Sequence, residues 1–148
     1  MEKITSFTVD HTKLNKGLYF SRIDGDIKTY DLRCKKPNSG VFMDNETMHT
    51  IEHLAATYLR NGALKNQIIY FGPMGCQTGF YLLIKNAKNE EVLKELLEVF
   101  KKIKNHKGEV FGNSEIECGN YKTLNLKKAI TEATEYLKVL EKVIDFNY

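Results

Sequence analysis

The residues best suited to chemistry form the pattern His-x-x-Glu-His, at His49, Glu52 and His53. On an α-helix, at about 100° per residue, His53 lies about 40° round from His49, and Glu52 lies about 60° the other way. All three side chains would therefore project from one side of the helix. Two imidazoles four residues apart can bind one divalent cation, while the carboxylate between them remains free to move protons.

The three cysteines supply further candidates. An odd number at wide spacing favours free thiols, metal ligands or nucleophiles over disulfides. Cys118 lies in a polar loop and is followed by glycine, so it is the better third metal ligand, whereas Cys34 ends an apolar strand and is most simply a small core residue. Two histidines and one cysteine leave a fourth coordination position open, which is typical of catalytic metals.

Cys76 lies in a glycine-rich connection, with Gly75 before it and Gly79 three residues after it. Such a connection predicts a tight or positive-φ backbone that exposes the thiol, although a buried, inert thiol is the alternative. A thiolate beside a divalent cation can accept and return protons, and Glu52 is the second candidate proton carrier. With no nucleotide-binding loop in the sequence, this set favours enolisation, elimination or hydrolysis of a small molecule that carries a carbonyl group.

The elements that must hold these residues follow from hydrophobic periodicity. Residues 17–22 and 27–33 resemble strands joined by an Asp-Gly turn, and residues 67–71 and 79–84 resemble two more. Asp44 or Asn45 would cap a helix that carries the His-x-x-Glu-His pattern to about Gly62. Helices are also predicted at 89–105 and from Leu126 along an apolar seam that reaches Ile144. The expected fold class is α+β, with an antiparallel sheet of about four strands and helices packed on one face.

Composition limits the classes of function. The chain has 148 residues, 42% of them hydrophobic, and a net charge of +3 from 22 basic and 19 acidic residues. It predicts one domain over residues 1–148, without the basic patch of a nucleic-acid partner. No apolar stretch reaches membrane-spanning length and the first residues lack the order of a signal peptide, so a cytoplasmic protein with no membrane partner is expected.

Five separated blocks of this sequence resemble S-ribosylhomocysteine lyase, the LuxS family. They are Ser6-Phe7 with Asp10-His11, Asp31-Leu32-Arg33 with Lys36-Pro37-Asn38, residues 49–54, residues 73–81, and Cys118-Gly119. The resemblance implies a homodimer with active sites at the subunit interface. It also implies one divalent metal per subunit, Fe²⁺ in the cell and commonly Zn²⁺ or Co²⁺ after isolation. Members cleave the thioether of S-ribosylhomocysteine to homocysteine and 4,5-dihydroxy-2,3-pentanedione, the precursor of a quorum-sensing autoinducer.

The resemblance assigns roles that agree with the residue types. The metal ligands would be His49, His53 and Cys118. Cys76 and Glu52 would relay protons during two 1,2-shifts that move the sugar carbonyl from C1 to C3, after which β-elimination can release the thiol. A divalent cation can stabilise the negative charge of the enediolates formed on the way.

The matching positions Ser6, His11 and Arg33 are the expected substrate contacts, and the guanidinium of Arg33 would offer paired hydrogen bonds to oxygen groups. Without the resemblance these three would be interpreted as surface residues. One position departs from the family pattern, because Tyr70 stands where members often have aspartate.

Two other classes of function fit part of the sequence. An inverzincin-type metallopeptidase would use the same His-x-x-Glu-His pattern, with Glu52 activating a metal-bound water. Such a peptidase usually has a distant carboxylate as its third ligand, however, where this chain offers Cys118. A metal-binding structural or regulatory protein would instead coordinate its metal fully and would tolerate loss of Cys76.

Overall fold

A computed structural model describes residues 1–148 and contains four strands and three α-helices, with two short 3-10 helices. The elements in chain order are β1 (Gly17–Asp24), β2 (Ile27–Arg33), α1 (Asn45–Arg60), β3 (Ile68–Pro73), β4 (Gly79–Lys85), α2 (Asn89–Lys104) and α3 (Leu126–Leu140). The order is the one that the sequence predicts. No helix combines the length and the apolar character needed to cross a membrane.

The four strands form one antiparallel sheet in the order β1-β2-β4-β3. The β1–β2 hairpin turns at Gly25, whose φ of +63° is readily adopted only by glycine. The chain then passes through α1 and β3 before β4 pairs with β2. This arrangement confirms the α+β class with a four-stranded antiparallel sheet.

The two faces of the sheet differ in character because side chains alternate along each strand. Tyr30, Leu32 and Phe80 are fully buried in the same hydrophobic cluster as residues of all three helices. Asp31 and Arg33, between and after them on β2, project from the opposite face, which we call the outer face. The sheet therefore has helices on one side and, on the other, an outer face that carries the buried Asp31 and Arg33.

Helix α1 carries the His-x-x-Glu-His pattern and is buried along most of its length. Ile51, Leu54, Ala55 and Leu59 are fully buried, as the amphipathic spacing predicts. The helix begins where the sequence suggests, because the Asp44 carboxylate accepts hydrogen bonds from the Thr47 backbone N–H at 2.8 Å and the Thr47 hydroxyl at 2.7 Å. The N-cap thus defines the start of the helix that positions the histidines.

The Asp44 carboxylate also pairs with Lys128 of α3, at 2.8 Å. These bonds, with that of Lys128 first, lower the pKa of Asp44 to about 2. Because this pKa is lowered in the folded state, the ionised carboxylate of Asp44 contributes to the free energy of unfolding above pH 3.8, its ordinary pKa. The contribution is lost as the pH falls toward 2.

Asp44→Ala should lower the free energy of unfolding by about 1 kcal/mol at pH 7, because α1 loses its cap. Urea unfolding of the metal-free protein at pH 7 and at pH 3 measures the effect, and the difference between mutant and parent should shrink at the lower pH. Asp44→Asn is the matched control, since it retains the cap and removes only the charge. An equal loss in both variants would contradict the capping role.

One sequence expectation is wrong at the end of α3. The helix ends at Leu140, and Ile144, predicted to continue its apolar seam, is 96% exposed. After Leu140 the chain turns back across the sheet, where the Phe20 backbone N–H bonds the Phe146 carbonyl at 2.7 Å. Apolar residues recur at helical spacing beyond Leu140. This spacing does not by itself show where the backbone leaves the helix.

Candidate active site

The structure brings together the three residues proposed as metal ligands. The ligating atoms of His49, His53 and Cys118 all lie within 4.8 Å of one another. The two histidines come from successive turns of α1, and Cys118 comes from the irregular connection between α2 and α3. Cys118 Sγ lies 3.4 Å from His49 Nε2.

Two contacts orient the imidazoles. His53 Nδ1 is 2.7 Å from the Phe111 carbonyl oxygen, which can only accept, so Nδ1 carries the proton. His49 Nδ1 is 2.7 Å from the Thr123 hydroxyl, which itself donates to the Asn120 carbonyl and must therefore accept from His49. The Nε2 atom of each ring therefore has a lone pair available to bind a metal. Sequence reasoning missed Phe111 and Thr123, which lie 58 and 74 residues from their histidines.

The donor set fits a divalent transition metal. Imidazole nitrogen and thiolate sulfur bind such ions at about 2.0–2.3 Å, and three protein ligands leave room for a fourth from substrate or water. Burial lowers the pKa of His49, and the neighbouring His53 lowers it further, so the neutral, ligating form is favoured. Gly112 lets the connection between α2 and α3 approach the His53 ring closely. Its φ is +70°, and a Cβ there would press on that ring.

Glu52 lies between the two histidines on α1, and its side chain is half-buried. Its charge is close enough to His49 to act on the pKa of that imidazole, in the direction that raises it. The geometry therefore places a carboxylate beside the trio of ligands, as the helical spacing predicts.

Cys76, Ser6, His11 and Arg33 come together in a second place. They line one cavity of about 310 Å³ that also includes Tyr81. The Cys76 thiol is exposed at the β3–β4 turn, as the sequence predicts. The positive φ of this turn lies at Gln77, at +62°, and not at Gly75, so the strained position differs from the expected one. His11 Nδ1 donates to the Val9 carbonyl at 2.8 Å, which leaves its Nε2 as an acceptor.

Arg33 is 2% exposed, although the residue type alone suggests surface. Its Nε and Nη2 donate to the two oxygens of Asp31, at 3.1 and 2.6 Å, while Nη1 donates to Thr78 Oγ1 at 2.8 Å and lies 3.8 Å from Cys76 Sγ. Burial lowers the pKa of Arg33, but the pairing with Asp31 outweighs burial and raises it. The paired donors expected to bind substrate are thus occupied by Asp31, and Nη1 is the donor nearest the Cys76 thiol.

Tyr70, which departs from the family pattern, lies on the outer face and is 52% exposed. Its ring covers the backbone of Gly72, and a Cβ at Gly72 would overlap that ring. Tyr70 lines a neighbouring groove that shares Ser6 and Tyr81 with the Cys76 cavity. The tyrosine therefore lies beside the cavity rather than in it.

The two groups of candidate residues lie in different layers of the subunit. The metal-ligand trio belongs to the helical layer, on α1 and the connection that follows α2. Cys76 contacts Arg33, which projects from the outer face of the sheet, and no member of the trio lines its cavity. The sequence did not indicate this separation.

Comparison with known proteins gives a consistent assignment. A family model described as S-ribosylhomocysteinase (LuxS) matches residues 4–146. The S-ribosylhomocysteine lyase of Borreliella afzelii is 45% identical, with 99% of this chain and 98% of that protein covered. The corresponding proteins of Finegoldia magna (45% identical; 97% and 94% covered) and Desulfotalea psychrophila (44% identical; 99% and 97% covered) bear the same name. With three side chains placed so that they could hold a metal and a match over nearly its whole length, this chain belongs to the LuxS family of S-ribosylhomocysteinases.

Proposed function

We propose that this chain is an S-ribosylhomocysteine lyase, a carbon–sulfur lyase that converts S-ribosylhomocysteine to homocysteine and 4,5-dihydroxy-2,3-pentanedione. The proposal rests on similarity of about 45% identity over nearly the whole chain to proteins that bear that name. The metallopeptidase alternative has no such support, and its expected third carboxylate ligand is replaced by Cys118. The pentanedione product would serve as the autoinducer precursor in quorum sensing, and the homocysteine would return to the methyl cycle.

The reaction needs groups that move protons. The thioether leaves from C5 of the ribose, so the carbonyl must first migrate from C1 to C3 through two enediolates before the C4 proton is acidic enough for β-elimination. Each shift removes a proton from one carbon and returns one to its neighbour. We assign these transfers to the Cys76 thiolate and the Glu52 carboxylate. Ser6, His11 and the remaining donor of Arg33 would hold the substrate in the cavity that they share with Cys76.

His49, His53 and Cys118 would hold one divalent cation, Fe²⁺ in the cell, with Zn²⁺ or Co²⁺ as replacements. When bound, the cation would supply electrostatic stabilisation of negative charge on the sugar oxygens without a change in oxidation state. The choice of Fe²⁺ rests on the family resemblance alone. Metal analysis of anaerobically purified protein would test it.

We infer further that two copies of this chain form the active site. Within one subunit the metal-ligand trio and Cys76 lie in different layers, so a substrate held between them needs the trio of one protomer and the Cys76 cavity of its partner. Apolar side chains around the outer face support an interface there, since Ile4, Phe7 and Tyr70 are 57%, 71% and 52% exposed. Residues 1–148 would act as a single domain in this dimer, in the cytoplasm, where its free cysteines remain reduced.

Release of free thiol from S-ribosylhomocysteine, detected with a chromogenic disulfide reagent, tests the proposed activity. S-adenosylhomocysteine is the matched control, because its ribose is locked in a glycosidic bond and has no aldehyde to migrate. Thiol release from the first compound and not the second is expected. Cleavage of a peptide library, with no release from S-ribosylhomocysteine, would instead support the peptidase.

Glu52→Gln should lower kcat about 10²–10⁴-fold, because the amide cannot accept a proton. Metal content should remain near one per subunit, since Glu52 is not assigned as a ligand, and metal analysis together with thiol release measures both quantities. Glu46→Gln, at a half-buried glutamate on the first turn of the same helix that pairs with Lys128, is the matched control and should retain turnover. Loss of metal in Glu52→Gln would overturn its assignment as a proton carrier.

Mixing two inactive variants tests the shared site. If Glu52 and Cys76 act from different protomers, a heterodimer of Glu52→Gln and Cys76→Ala chains has one doubly defective site and one intact site. Unfolding and refolding an equal mixture should make about half of the dimers mixed and so restore about a quarter of parental activity. Each variant refolded alone is the control. Activity that stays at the level of the separate variants would place both residues in one chain's site.

A further inference from the structure

We infer that Tyr148 is a positioning residue for Cys76, acting through Asp31 and Arg33. The inference rests on the proposed role of Cys76, and it adds a residue that no sequence pattern singled out. Its basis is a continuous set of polar contacts across the outer face of the sheet, from the segment after α3 to the thiol.

Asp31 is the centre of this set. It is 1% exposed, and its carboxylate would be unfavourable there without donors. Its Oδ1 accepts from Arg33 Nε at 3.1 Å, and its Oδ2 accepts from both Arg33 Nη2 at 2.6 Å and the Tyr148 hydroxyl at 2.8 Å. Tyr148 therefore completes the hydrogen bonding of the carboxylate that fixes the guanidinium plane.

Tyr148 is itself held in place. Its ring stacks on Tyr19, with 5.0 Å between ring centroids and 17° between the planes. The backbone is fixed two residues earlier, at the 2.7 Å bond from the Phe20 N–H to the Phe146 carbonyl. Burial, and next the charge of Asp31, raise the pKa of the Tyr148 hydroxyl, so it remains a proton donor throughout the neutral range.

The far end of the set is the reactive thiol. With Nε and Nη2 of Arg33 fixed by Asp31, Nη1 is directed at Thr78 Oγ1, 2.8 Å away, and lies 3.8 Å from Cys76 Sγ. Thr78 Oγ1 is in turn 3.1 Å from the same sulfur. The guanidinium therefore places positive charge beside the sulfur of Cys76. His11 and Tyr81 are the other titratable groups that line the Cys76 cavity.

Removing the Tyr148 hydroxyl should weaken this arrangement. Asp31 Oδ2 would lose one of its two donors, so its carboxylate and the guanidinium bound to it would become freer to rotate away from Cys76. Cys76 Sγ should then have less positive charge beside it and react more slowly with an electrophile. Tyr148→Phe leaves the stacked ring in place, so it removes the hydrogen bond to Asp31 without removing the packing on Tyr19.

The test is the rate of Cys76 alkylation by iodoacetamide in the metal-loaded protein, followed by mass analysis of the peptide that contains Cys76. Cys34 does not interfere, because burial raises its pKa well above the ordinary value. For Tyr148→Phe the rate at pH 7 should fall about threefold, in line with one lost hydrogen bond, and the pH profile should move to higher pH. Circular dichroism confirms that the variant is folded.

Tyr19→Phe is the matched control. It removes the hydroxyl of the stacked partner, which bonds the Asn15 carbonyl and not Asp31, so the alkylation profile should not change. An unchanged profile in Tyr148→Phe, or an equal shift in both variants, would overturn the inference. Alkylation does not depend on lyase turnover. A parent protein that fails to cleave S-ribosylhomocysteine would therefore refute the proposed function and still leave the role of Tyr148 to be decided by the profile.

Discussion

Cys76→Ala is expected to lower kcat for homocysteine release about 10²–10⁴-fold, the range that a positioned proton carrier contributes. Both proposed carbonyl shifts need a group that removes and returns protons at neighbouring carbons, and the Cys76 thiol is exposed in the cavity that gathers Ser6, His11 and Arg33. Metal content and the urea unfolding midpoint should remain close to those of the parent, because Cys76 lies outside both the metal-ligand trio and the hydrophobic core. Thiol release, metal analysis and urea unfolding measure the three quantities.

Cys34→Ala is the matched control for this substitution. Cys34 is 3% exposed and packs in the hydrophobic core, so its loss should lower stability modestly and leave kcat unchanged. Cys76→Ser adds a further comparison, since the hydroxyl preserves the shape of the side chain but is a far weaker acid. Turnover by Cys76→Ala at the parental level would contradict the proton-carrier role and would favour a metal-binding structural or regulatory protein.

Cys118→Ala and His53→Ala are expected to lose metal and stability together. Each removes one of three protein ligands, so the affinity for metal should fall steeply. The fall should exceed the roughly 10–100-fold that follows from losing a group that only hydrogen-bonds to a ligand. Coordination free energy is also folding free energy, because the site does not exist in the unfolded chain. Metal competition with a chromogenic chelator, and thermal unfolding with and without excess Zn²⁺, measure the two effects. In the variants, added Zn²⁺ should raise Tm far less than in the parent.

Thr123→Val should weaken metal binding less than the loss of a ligand does. It removes the hydroxyl that accepts from His49 Nδ1 and leaves all three ligands in place, so metal affinity should fall about 10–100-fold. Thr134→Val on α3, whose hydroxyl bonds only the Ile130 carbonyl of its own helix, is the control and should bind metal as the parent does. Full retention of metal by Cys118→Ala would show that a different residue completes the site.

The order of the elements and the chemistry of the ligands could be predicted from the sequence because both are local. The turn at Gly25, the cap at Asp44 and the amphipathic spacing of α1 depend on residues within one or two turns of one another. The helical repeat alone places His49, Glu52 and His53 on one side of α1. The error at Ile144 has the complementary cause, since after Leu140 the chain bonds to β1, which is distant in sequence, through the Phe20 N–H and the Phe146 carbonyl.

Only the tertiary structure decided which side chains hold those residues in place and in which layer they lie. Phe111 and Thr123 orient the histidines across long stretches of chain, and Tyr148 reaches Asp31 across 117 residues. Arg33 has an unremarkable place at the end of a strand in the sequence, yet the sheet register buries it against Asp31 beside Cys76. The sequence thus determined the pairing of His49 with His53, because residues four apart lie on the same side of a helix. The separation of the metal-ligand trio from the Cys76 cavity depends on which face of the sheet each element covers, and that is decided only when distant strands and helices pack.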